Sequence, residues 1–182
     1  MSRDSYRQRD IKHIWHPYSD IAAMESEPFP VIRRAEGIYI YDADGRKLID
    51  GISSWWCCNL GHSHPRLVEA LCNQAQRLQH SMLGGMSHPS AIDLAERLSA
   101  VCPTGLGRVL FAGDGSSAVE AALKISVQYW ANLGEGQRTQ FASLEDAYHG
   151  DTLGAMGVGF IPGFHEQFAG IVRQAHRASS PY

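Results

Sequence analysis

Apolar positions along the chain follow two different periods. In GIYIYDADGRKLIDG (37–51), Ile38 and Ile40 alternate with Tyr39 and Tyr41, Asp44-Gly45 marks a turn, and Leu48-Ile49 resumes the run. A period of two with a turn between the halves predicts a β-hairpin. From Pro65 the period lengthens: Leu67, Val68, Leu71, Ala75 and Leu78 recur at helical spacing, with Pro65 in the first turn. A second helix is predicted from about Pro89, with Ile92, Ala95 and Leu98 on one face. A third and longer one carries the stripe Val119, Ala122, Leu123, Ser126, Val127 and Trp130, and Ser117 and Glu120 have capping-box spacing at its start.

Two short apolar runs, Val109–Ala112 and about Gln140–Leu144, read as strands on either side of that long helix. Strand, helix, strand in this order predicts an α/β sheet with parallel pairing. Residues 1–30, punctuated by Pro17, Pro28 and Pro30, read as an irregular arm. The tail FIPGFHEQFAGIVRQAHRASSPY carries no clear closing element.

Composition narrows the class. The chain has 182 residues, 44% hydrophobic and 19% charged, with a net charge of −3. That length is enough for a sizeable core, and the charge argues against a nucleic-acid partner. No apolar run approaches a membrane span, and the polar N-terminus lacks the apolar stretch of a secretory signal. Cys57, Cys58, Cys72 and Cys102 read as free thiols in a reducing cytosol, because adjacent cysteines suit neither a structural disulfide nor a C-x-x-C metal hook. His62 and His64 form H-x-H, but no cluster at ligand spacing supports a metal.

Three stretches carry candidate chemistry. In GDGSSAVE a strand is expected to end, glycines free the backbone, and a helix begins with hydroxyls. Unpaired N–H groups and the positive end of the helix dipole suit a phosphate there, with Gly115 allowing close approach and Ser116 donating its hydroxyl. An ordinary capped helix after a tight turn explains the same spacing. In AYHGD, Tyr148 follows the next strand and offers a ring for stacking, with His149 and Asp151 as titratable neighbours. A surface turn with a half-buried tyrosine is the alternative. Ligands of open α/β sheets sit outside the carboxyl ends of strands, which puts both loops on one edge. The third stretch is GISSWWCCNLGHSHP, together with HIWHPY at 13–18. An extended strand would send Trp55 and Trp56 to opposite faces, so the paired indoles pose a question about what each one packs against. They serve a core, an interface or an apolar substrate pocket.

Taken together, HIWHPY, DGISSWW, GHSHP, FAGDGSSAVEAALKISVQYW and YHGDTLGAMGVG resemble the fold-type I, pyridoxal-phosphate-dependent class III aminotransferases. The paired tryptophans and HIWHPY resemble those members that use S-adenosylmethionine to aminate 8-amino-7-oxononanoate in biotin biosynthesis. The resemblance implies an α/β fold in two parts. These are an N-terminal arm and β-hairpin of the small domain over 1–60, and an incomplete large cofactor-binding domain over 61–182. It implies pyridoxal 5'-phosphate as cofactor, held by Gly115 and Ser116 at the phosphate and by Tyr148 on the ring, with His149 alongside. It implies that Tyr18, Trp55 and Trp56 line the substrate pocket. It further implies that the complete enzyme is a homodimer; composition and spacing add a cytoplasmic location with no nucleic-acid, membrane or metal partner.

The family also needs a Schiff-base lysine. The lysines here are Lys12, Lys47 and Lys124, and none stands where the family places that residue. The chain therefore reads as an N-terminal portion, inactive alone, with no catalytic residue of its own. Two other readings stay open: a class III enzyme acting on ω-amines, and a non-catalytic phosphate- or partner-binding chain.

Overall fold

The computed structural model describes residues 3–181. They form two compact units that divide between His88 and Pro89. The first begins with two helices, α1 (Arg3–His13) and α2 (Ile21–Ser26), in the stretch expected to be irregular. Asp20 makes the second possible: its carboxylate accepts from the amides of Ala22 and Ala23, satisfying first-turn donors that six residues alone would leave open.

The expected hairpin is present and gains a strand. β1 (Ile32–Glu36), β2 (Tyr39–Asp42) and β3 (Lys47–Ile49) form an antiparallel sheet in sequence order. Asp42 organises the β2–β3 turn: its buried carboxylate accepts from the amides of Asp44 and Arg46 and pairs with the Arg46 guanidinium at 2.5 Å. β1 lacks alternation, since IRRAE places two arginines in succession, and only pairing with β2 makes it a strand. Arg34 lies over the Tyr41 ring, 3.4 Å from its centroid, and Lys47 lies 3.6 Å from that of Tyr39. The unit ends with helix α4 (Pro65–Arg77) after the single turn α3 (Ser53–Trp56).

The second unit holds α5 (Pro89–Val101), α6 (Gly115–Asn132), β4 (Ala142–Leu144), α7 (Leu153–Val158), a 3-10 helix (Glu166–Ile171) and β5 (His176–Ala178). β4 and β5 pair in parallel, so the tail does supply a closing strand. Three residues at 176–178 are too few to register as a period, and their pairing with β4 is what defines them. Arg177 on β5 ties the layers together through the Ser143 hydroxyl at 2.8 Å and the Val158 carbonyl at 3.1 Å. The expected strand at Val109–Ala112 is not found: the segment is irregular, and among the described residues no strand pairs with it. A strand exists only by its ladder, so an apolar run without a neighbour remains extended chain.

Among the described residues the buried apolar side chains are few: Ala155, Met156 and Val158 of α7, with Val172. Helices α4, α5 and α6 contain no buried residue, and Leu71 at 71% and Ile92 at 55% exposure sit on faces whose spacing predicts a core. No helix among the described residues is long and apolar enough to cross a membrane.

Candidate cofactor and substrate site

In the second unit the site is built on the start of α6. Asp114 caps that helix: its carboxylate accepts from the Ser117 amide at 2.7 Å and the Ser117 hydroxyl at 2.8 Å. The Ser117 amide bond above all holds the Asp114 carboxyl below its ordinary value. Asp114 rather than Ser117 is thus the cap, which frees Glu120 for another task. Glu120 accepts from the amides of Gly154 at 2.7 Å and Ala155 at 3.3 Å and so caps α7 from α6. Its pKa is lowered, first by a hydrogen bond from Thr152.

Ser116 joins α6 to the AYHGD loop. Its hydroxyl accepts from the Asp151 amide at 3.3 Å. Gly150 makes this approach possible: its φ is +108°, and a Cβ there would lie 1.8 Å from the Ser116 Oγ. Tyr148 donates its hydroxyl to Asp151 Oδ2 at 2.9 Å, and this bond to a carboxylate raises the phenol above its ordinary pKa. The other carboxylate oxygen lies 3.1 Å from His165 Nε2. His165 is 1% exposed, and its Nδ1 accepts from the Ile161 amide at 3.1 Å, so Nε2 carries the proton towards Asp151. The imidazole stacks on Tyr148 at 6.3 Å between centroids and 22° between planes.

Gly115, Ser116 and Tyr148 therefore meet in one constellation, with Tyr148 half-exposed and one side of its ring backed by His165. His149 is exposed and lies outside the network; His165 is the histidine that stacks on the tyrosine. Sequence reasoning passed over His165 because a lone histidine in GFHEQ has no local signal. Asp151, read from the sequence as a titratable neighbour, joins three groups: Ser116, Tyr148 and His165. An open cavity of about 440 Å³ beside α7 is lined by Leu123, Phe141, Leu153, Val158 and Ile171 among others, and by none of the expected site residues.

In the first unit, Tyr18, Trp55 and Trp56 form an aromatic cluster. The Tyr18 and Trp55 rings lie 5.5 Å apart, and the two indoles meet edge-to-face at 6.2 Å and 88°. All three are more than half exposed, so they are not core anchors of this unit. Their turn is unusual: Ser53, Ser54, Trp55 and Trp56 have φ of 50°, 46°, 64° and 67°. The amides of Trp56 and Cys57 donate to the carbonyls of Ile52 and Ser53 at 2.9 Å each, making one left-handed helical turn. At roughly 1–2 kcal/mol per non-glycine residue such a turn is strained. Neighbours on a helical turn point about 100° apart rather than 180°. Both indoles can then serve one surface, which an extended strand would prevent.

The chain matches the family described as Aminotransferase class-III over residues 21–182. It belongs to the class-III aminotransferases. It is 39% identical over 173 residues to the adenosylmethionine-8-amino-7-oxononanoate aminotransferase of Aquifex aeolicus, which covers 95% of this chain and 38% of that protein. The solved structure of the Methanocaldococcus jannaschii enzyme of the same name has a TM-score of 0.94 and 38% identity, covering all of this chain and 41% of that one. An omega transaminase from Pseudomonas jessenii, solved in complex with PMP, has a TM-score of 0.86 at 30% identity, covering 97% of this chain and 39% of that one. The chain thus spans about two fifths of the length of these relatives.

Pyridoxal phosphate is the cofactor of class-III aminotransferases. The Gly115-Ser116 helix start offers amide and hydroxyl donors suited to a phosphate, and Tyr148 presents a half-exposed ring. These residues fit the group's two ends. Lys124, the lysine of this unit, is roughly 12 Å along α6 from Ser116.

Proposed function

We propose that this chain forms part of a cytoplasmic, homodimeric aminotransferase of biotin biosynthesis, moving an amino group from S-adenosylmethionine to 8-amino-7-oxononanoate to give 7,8-diaminononanoate. The observation that carries the reading is the Ser116–Asp151–Tyr148 linkage, which couples an anion-binding helix start to an aromatic ring. The names and identities of the relatives support the substrate pair.

The bound cofactor supplies an electron sink that carries the amino group. The chain's own residues do the holding. Gly115 and Ser116 would hold the phosphate, and Tyr148 would meet the ring, with His149 nearby. Asp151 accepts the Tyr148 proton in a hydrogen bond, and buried His165 fixes that carboxylate. Tyr18, Trp55 and Trp56 wall the slot for a long aliphatic keto acid, where apolar area gives the grip. The arm and sheet over 1–60 belong to the small domain, and 61–182 to the large one. This chain alone, lacking a lysine at the cofactor, does not turn over.

The test is titration of the purified chain with pyridoxal phosphate, followed by borohydride reduction and mass spectrometry. The expected result is reversible binding, weakened in Ser116→Ala and Tyr148→Ala, with no adduct fixed to the protein. A stoichiometric adduct on Lys12, Lys47 or Lys124 overturns the reading.

A further inference from the structure

A turn of four consecutive left-handed residues requires an external hold, and one carboxylate provides it. Asp50 accepts from the Ser54 amide at 2.9 Å, from the Ser54 hydroxyl at 2.8 Å and lies 2.7 Å from His62 Nε2. Its side chain is 6% exposed and that of His62 15%, so water competes little for these bonds.

Both residues are fixed from behind. The Asp50 amide donates to the Ile38 carbonyl at 2.9 Å, extending the β2–β3 edge. His62 exchanges two backbone bonds with Gly37, at 2.8 and 3.0 Å, and the Ser63 hydroxyl donates to the Ala35 carbonyl at 2.7 Å. At Gly61 a Cβ would come within 3.2 Å of the Gly37 carbonyl oxygen, so the segment that carries His62 lies close against the β1–β2 turn. The small sheet thus supports the aspartate on one side and the histidine on the other.

We propose that Asp50 and His62 are positioning residues for the Trp55–Trp56 pair: they hold Ser53–Trp56 in its left-handed turn and so set the edge-to-face indole geometry. The consequence for substrate rests on the reading of the indoles as a slot wall; the hold on the turn does not.

Two edge-to-face indoles give an exciton couplet in circular dichroism, which Trp56→Phe assigns among the four tryptophans. In Asp50→Ala the couplet is expected to disappear while the helical signal stays. In His62→Gln it is expected to weaken. Glycine adopts positive φ without steric cost, so Ser53→Gly with Ser54→Gly, added to Asp50→Ala, is expected to restore part of the couplet. An unchanged couplet in folded Asp50→Ala overturns the proposal. So does a failure of the two glycines to restore any signal. If Asp50→Ala does not fold, His62→Gln and Asp50→Asn decide by the same couplet, and full retention in both overturns it. Loss of the couplet in chains that still bind pyridoxal phosphate as the unaltered chain does keeps this proposal apart from the cofactor test.

Discussion

Gly150 concentrates the site's geometry in one residue. Its positive φ, and the 1.8 Å that would separate a Cβ from the Ser116 hydroxyl oxygen, leave no room for a side chain. Gly150→Ala is expected to destabilise the second unit by about 2 kcal/mol or more, read as a lower urea midpoint at unchanged slope. It should weaken pyridoxal phosphate binding as well, because relief of the clash must separate Ser116 from Asp151. The glycine was visible in AYHGD as a turn former. That it abuts a serine thirty-four positions earlier was not, since such a contact leaves no trace in local spacing. His165 was illegible for the same reason: burial against Tyr148 and Asp151 is what gives it a role.

At the scale of elements, the α3 turn is held by charge and is therefore sensitive to acid. The Ser54 amide, His62 and the Ser54 hydroxyl together lower the Asp50 pKa from 3.8 to about 2. A carboxyl whose folded pKa is depressed contributes stability that is fully present above its unfolded value. The contribution is lost as pH falls from about 4 through about 2. The tryptophan couplet should therefore persist at pH 5 and fade over that window. Asp50→Asn should remove the pH dependence specific to the turn, as measured by circular dichroism against acid titration. Elements with a long period, such as α4 and α6, were legible because their pattern spans several turns. β1 and β5 were not, because a strand of three to five residues is defined by its partner. The apolar run Val109–Ala112 misled for the same reason, having no partner strand among the described residues.

At the scale of the whole molecule, the amphipathic faces outnumber the surfaces available to cover them. Leu67, Val68 and Leu71 on α4, and Ile92 and Leu98 on α5, are all exposed although their spacing predicts burial. Apolar area on this scale drives association. The purified chain is expected to bind a hydrophobic dye strongly and to sediment as concentration-dependent oligomers; a monomer with weak dye binding would contradict this. The class-III aminotransferase family was readable across most of the chain, because its motifs are local strings with their own chemistry.

The sequence by itself determined the long helices, the hairpin, the glycine-serine helix start and the family, all of which rest on short-range pattern and residue type. Tertiary structure decided what those pieces do together. It made Asp151 a hub, turned Glu120 from its own helix to α7, and brought His165 under Tyr148. It also coiled the tryptophans into a left-handed turn held by Asp50. The physical reason is common to all four. A hydrogen bond or a strained backbone between distant residues depends on how the chain returns to itself, and neither propensity nor periodicity encodes that return.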